Sequence, residues 1–158
     1  MDKILRYADI KKITLFLKSK SDHFPLILPL LIAIGLRFYG IGTGLPGAVH
    51  PDEPHHINVA LHFGTGDFNP HVFKYPTLWM YFLFFLYGLY FLFWSFFGLL
   101  HSVADYACCF VNHVGIFYLL ARVATAFFGI LTVVVVYRLG RRLYSRSVGF
   151  WAAFICAI

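Results

Sequence analysis

The chain has 158 residues, of which 60% are hydrophobic, 20% aromatic and 13% charged, with a formal net charge of +6 and a mean hydropathy of +0.74. A soluble domain carries about 25% charged residues to solvate its surface, so this composition indicates a membrane protein, and 19 Phe, 10 Tyr and 3 Trp exclude a disordered chain. The positive charge is split between two short clusters flanking apolar runs, which excludes a basic face for nucleic acid and reads instead as membrane topology.

In chain order, residues 1–23 set Lys3, Arg6, Lys11, Lys12, Lys18 and Lys20 among isoleucines and leucines, the pattern of a basic cytoplasmic segment beside a membrane. Residues 24–40 are predicted as a first transmembrane helix. Pro25 and Pro29 lie near its start, where proline is tolerated, and Arg37 lies near its end, where a long cation can snorkel to the headgroups. A cleaved signal peptide is the alternative, but Gly40–Gly44 offers no A-x-A site. Residues 41–75 read as an outer loop, rich in Gly and Pro and holding five histidines. Within it a short helix is predicted at 52–63: Asp52 and Glu53 suit its positive end, Pro54 its first turn, and Gly64 or Gly66 its stop.

Residues 76–101 contain the uncharged stretch Pro76–Leu100, 25 residues long, where about 20 suffice to cross a hydrocarbon core. A connector at 102–115 leads to a second predicted span at 116–137, broken only by Arg122, and then to a basic cytoplasmic loop at 138–147. Residues 148–158 begin a further apolar helix. If all three complete runs cross with the N-terminus inside, Arg138, Arg141, Arg142 and Arg146 fall outside, against the positive-inside rule. The conflict disappears if 76–101 lies at the interface or re-enters, and Tyr75, Trp79, Tyr81, Tyr87, Tyr90 and Trp94 suit that position. The expected fold is therefore all-α, a polytopic integral membrane protein. Because the last run stops at about half the length of a span, the chain reads as the N-terminal piece of a longer protein, inactive by itself. Cys108, Cys109 and Cys156 have no disulfide or zinc-type spacing.

Charged residues are scarce, and they gather in the loop as His50, Asp52, Glu53, His55, His56, Asp67, His71 and Lys74. Two chemistries fit. Asp52 can act as a general base toward an acceptor hydroxyl while Lys74 stabilises an anionic phosphate leaving group. Alternatively Asp52 and His56, one helical turn apart, bind a divalent metal with His50 or His55. The plainer reading is that the two acids favour a helix start and the histidines are loop residues. A cation-binding transporter or channel component is the competing function, and a non-catalytic membrane scaffold a third. Against a transporter, no apolar run has an acid at its centre.

The order of Leu36-Arg37-Phe38-Tyr39-Gly40-Ile41, His50-Pro51-Asp52-Glu53, Gly66-Asp67-Phe68-Asn69-Pro70, Phe73-Lys74-Tyr75-Pro76-Thr77-Leu78 and Tyr137-Arg138-Leu139-Gly140-Arg141-Arg142-Leu143-Tyr144 resembles the GT-C class of membrane glycosyltransferases. The likeness is to relatives of protein O-mannosyltransferase and of the lipid A aminoarabinose transferase. It implies a multi-pass protein of a bacterial or archaeal plasma membrane, surrounded by membrane lipids, with the acid-bearing loop outside. It further implies a polyprenyl-phosphate sugar as donor and a protein, lipid or glycan hydroxyl as acceptor, with inversion at the anomeric carbon. Asp52 is then the catalytic base with Glu53 beside it, and Lys74 contacts the donor phosphate, with Arg37 as a second candidate. A divalent metal is a possible cofactor, with His55 and His56 as candidate ligands. Some relatives carry a metal-binding acid immediately before the lysine, where this chain has Phe73. Aromatic residues between Trp79 and Trp94 would line the isoprenoid path or simply contact lipid.

Overall fold

A computed structural model describes residues 24–47 and 50–158; the basic segment 1–23 lies outside the described residues. Among them are six α-helices, no strand and one 3-10 turn: α1 (Phe24–Phe38), α2 (Asp52–His62), the turn Phe63–Thr65, α3 (Thr77–Phe96), α4 (Val103–Asn112), α5 (Val114–Leu143) and α6 (Arg146–Ala157). Two of these, α3 and α5, are long and apolar enough to cross a membrane. At 1.5 Å per residue they extend about 30 and 45 Å. Little of either apolar stretch is buried within the protein: Leu78, Phe85, Leu92 and Phe96 of α3 and Phe127 of α5 are more than half exposed. A core helix of a soluble protein would bury such residues, so these faces suit lipid.

The chain forms two compact units, one of Gly40–Thr125 and one of the described residues up to Tyr39 with Ala126–Ile158. In the first, α2 lies on α3, and Ile57, Ala60, Leu83, Tyr87, Phe117 and Tyr118 make the core. α2 begins with its two acids in the first turn, where the partial positive charge of the helix end favours them. It tightens into the 3-10 turn and stops at Gly66, whose φ of 92° is the left-handed conformation glycine adopts without penalty. The connector expected at 102–115 contains a helix, α4, started by a capping box. Ser102 accepts from the Asp105 N–H, and Asp105 accepts in return from the Ser102 N–H. Buried tyrosines tie the helices together: Tyr106 donates to the Tyr87 carbonyl at 2.9 Å, and Tyr87 donates to the Phe117 carbonyl at 3.0 Å.

The second unit packs α1 and α6 with the later part of α5 around Leu26, Ala33, Val133, Tyr137, Ala153 and Ala157. Here the structure departs from the sequence reading, because α5 continues through Arg138, Arg141 and Arg142 to Leu143, and the expected basic loop 138–147 shrinks to Tyr144 and Ser145. Arginine and leucine are strong helix formers, so a change in hydropathy need not end a helix. Gly140 is a contact rather than a stop: a Cβ there would lie 2.8 Å from the Gly149 Cα, so the backbones of α5 and α6 touch where both residues lack a side chain.

Candidate functional site

The polar residues of the loop converge on Tyr75, which closes the segment between α2 and α3. Its hydroxyl donates to Asp52 Oδ1 at 2.6 Å. Its ring packs against His55 and His56, with centroids 5.3 and 4.9 Å away, and Lys74 Nζ lies 5.2 Å from its centre. The sequence reading names Asp52, Lys74, His55 and His56 as site residues, and the structure brings all four around Tyr75, which that reading treats only as an interfacial aromatic. Nothing in the spacing reveals Tyr75, because its bond to Asp52 joins positions 23 residues apart.

The Tyr75 hydroxyl holds the Asp52 carboxyl below the usual carboxylate range, opposed by partial burial and helped by the nearby His50, Lys74 and His56 side chains. Asp52 is therefore an anion at neutral pH. His50 Nδ1 accepts the Asp52 backbone N–H at 3.3 Å and stands 3.6 Å from Oδ2, outside hydrogen-bond range. One carboxylate oxygen is thus anchored, and the other faces His50 without a hydrogen bond.

Glu53 does something different from its neighbour. Arg122 of α5 grips it at both oxygens, Nε to Oε1 at 2.8 Å and Nη2 to Oε2 at 2.9 Å. The third nitrogen, Nη1, donates to the carbonyls of Ile41 and Thr43 at 2.9 and 2.8 Å. The paired side chains are 16% and 25% exposed, so water competes weakly for the bidentate contact. Glu53 thereby ties the start of α2, and Asp52 with it, to α5 and to the glycine-rich segment. Its place is that of a positioning residue, and Arg122 is engaged in this pair rather than snorkelling.

Arg37 belongs to the other unit, where its guanidinium donates to the Ala157 and Cys156 carbonyls at 3.1 and 3.2 Å and lies against Gly129. His55 Nε2 and His56 Nδ1 are buried without a hydrogen-bond partner. Burial, together with the adjacent His55, lowers the His56 pKa, which keeps its ring neutral. As metal ligands His55 and His56 lack partners: among the described residues, the His and carboxylate groups that converge closely are His62, Asp67 and His71.

Toward the C-terminal end of α2, away from Tyr75, an apolar cavity of about 630 Å³ opens between α2, α3 and α4, lined by Leu61, His62, Phe84, Tyr87, Phe91 and Tyr106 among others. Its size is that of a small-molecule site, and its lining suits hydrocarbon. No known protein family, curated protein or solved structure matches this chain.

Proposed function

We propose that the chain carries the donor-side site of a multi-pass membrane glycosyltransferase of the GT-C type, which moves a sugar from polyprenyl phosphate to an acceptor hydroxyl at the outer membrane face. The observation that carries this reading is the Asp52 carboxylate, anionic, pinned at Oδ1 by Tyr75 and without a hydrogen bond at Oδ2, with Lys74 beside the same ring. In the reaction Asp52 takes the acceptor proton as the hydroxyl oxygen bonds to the anomeric carbon. The bond from that carbon to the phosphate oxygen breaks, its electron pair leaves with the phosphate, and Lys74 stabilises the anion. Attack from the face opposite the phosphate inverts the centre. A carboxylate of lowered basicity suffices, because the acceptor hydroxyl becomes acidic only as its new bond forms. His55 and His56 pack against the Tyr75 ring and so hold the hydroxyl that anchors Asp52.

The test uses the full-length protein in membranes with a panel of polyprenyl-phosphate sugars. Asp52→Asn keeps the Tyr75 contact but cannot accept the proton, and transfer falls by about 10²-fold or more, the usual worth of a general base. Lys74→Ala weakens binding of polyprenyl phosphate itself, a readout independent of the sugar. Unchanged turnover in the first variant, or unchanged phosphate-lipid affinity in the second, overturns the assignment of that residue.

A further inference from the structure

His62, Asp67 and His71 lie at the opposite end of α2 from Asp52 and take no part in the transfer chemistry. His62 is the last residue of α2, and Asp67 and His71 sit in the loop after the Gly66 stop. The loop is folded so that His71 turns back toward the helix. The Asn69 N–H bonds to Asp67 Oδ1 at 2.9 Å, and the His71 N–H bonds to Asn69 Oδ1 at 3.0 Å. His71 takes a φ of 55°, uncommon for a residue with a side chain. The fold on either side is rigid, since Phe63 stacks on Tyr81 of α3 at 4.8 Å and Tyr81 donates to the Phe68 carbonyl at 2.9 Å.

The result is two imidazoles and a carboxylate with their ligand atoms within 4.8 Å of one another. Asp67 Oδ2 is 2.7 Å from His71 Nε2 and 3.8 Å from His62 Nε2. Ligands on a tetrahedral zinc ion with bonds of about 2.0–2.1 Å stand about 3.3 Å apart, so the two Asp67 separations must open and close by about half an ångström and the histidine nitrogens approach by up to about 1.5 Å. The side chains are 60%, 47% and 50% exposed for His71, Asp67 and His62, which leaves them room to turn and leaves an entry path.

We propose that His62, Asp67 and His71 bind a zinc ion. Two nitrogens and one carboxylate oxygen match the borderline character of Zn²⁺, while a set for Mg²⁺ or Ca²⁺ would be built from oxygen. Water completes the fourth position. The ion clips residue 71 to residue 62 and fixes the loop that leads to Lys74 and Tyr75. This inference is independent of the transferase reading, since neither the ion nor its ligands enters that reaction.

The experiment is a calorimetric titration of Zn²⁺ into the full chain, purified metal-free in detergent and without a histidine tag, with Co²⁺ absorption as a readout of tetrahedral geometry. The expected result is one ion per chain, with affinity reduced about tenfold or more in His62→Ala, His71→Ala and Asp67→Asn. Asp67→Asn keeps an acceptor for the Asn69 N–H, so its loop folds while a charged ligand is lost. His56→Ala, at the other candidate metal position, leaves the affinity unchanged. Absence of stoichiometric binding overturns the proposal, as does binding that survives all three ligand variants or that is lost in His56→Ala. Loss of zinc affinity alongside normal sugar transfer in the full-length protein sustains the metal site, and zinc binding where the full-length protein transfers no sugar removes only the enzymatic reading.

Discussion

The two compact units are held by opposite means. Gly40–Thr125 is cross-linked by long polar side chains, Arg122 on Glu53, Tyr75 on Asp52, Tyr106 on Tyr87 and Tyr87 on Phe117. The other unit relies on residues with little or no side chain, Ala33, Ala153 and Ala157 in its core and Gly140 against Gly149 at its helix crossing. Small residues let apolar helices approach closely where lipid offers no hydrophobic drive to associate. Directional bonds do something else, since they fix the orientation of particular side chains. In the unit with candidate chemistry they orient the side chains of the site, whereas in the other Arg37 bonds only to the Ala157 and Cys156 backbone carbonyls at a helix end.

The largest expected effect comes from removing the bidentate pair. Arg122→Ala leaves the Glu53 carboxylate half-buried and frees the Ile41 and Thr43 carbonyls. A fully buried pair costs about 3–5 kcal/mol to break from one side, and with this degree of exposure we expect about 3 kcal/mol. Denaturant unfolding followed by tryptophan fluorescence measures it. Arg122→Lys recovers little, because an ammonium cannot match both carboxylate oxygens and two carbonyls at once.

In the other unit the effect is steric and smaller. A Cβ at Gly149 would stand 2.7 Å from the Tyr137 carbonyl oxygen and 2.8 Å from the Arg141 nitrogen, backbone atoms that move only if the helices separate. Gly149→Ala therefore costs about 2 kcal/mol in the same unfolding measurement. Gly35 of α1 has no atom within 4 Å of its would-be Cβ, so Gly35→Ala gains up to about 1 kcal/mol from helix propensity. Equal effects at the two positions would show that close approach is not what holds this unit.

Hydropathy and helix-end chemistry were enough to locate α2 and α3, because Asp52, Glu53 and Gly66 mark ends locally and an uncharged run marks its own extent. α4 had a local signal too, Ser102 followed three residues later by Asp105, in a segment whose polarity suggests only a connector. The extent of α5 was not legible, since charge reports solvent and not backbone conformation. Among the site residues, side-chain chemistry alone singles out Asp52, Lys74 and the histidines. The division of labour between Asp52 and Glu53 is set by Tyr75 and Arg122, the latter 69 positions away, and no spacing rule reaches that far. His62 and His71 read as surface residues until the left-handed backbone at His71 turns its ring onto Asp67.

The smallest and most specific effect is expected at Tyr75. Its hydroxyl is the largest influence holding the Asp52 carboxyl below the ordinary 3.8. A group with a lowered folded pKa stays ionised to lower pH, so its contribution is present above the ordinary value and is lost only as pH falls through the lowered one. Transfer that needs the Asp52 anion should therefore keep its acid limb below pH 3.8 in kcat/KM. Tyr75→Phe retains the ring against His55 and His56 but removes the donor. The Asp52 pKa then rises and the acid limb moves to higher pH, while the rate at neutral pH, where Asp52 is ionised in both proteins, changes by less than about tenfold. Gly149→Ala should leave the limb where it is, since that unit supplies packing and no proton chemistry. A limb that fails to move in Tyr75→Phe would mean that another group titrates there, and the polar cross-link at Asp52 would then serve only to hold α2 to the segment before α3, as glycine contact holds the helices of the other unit.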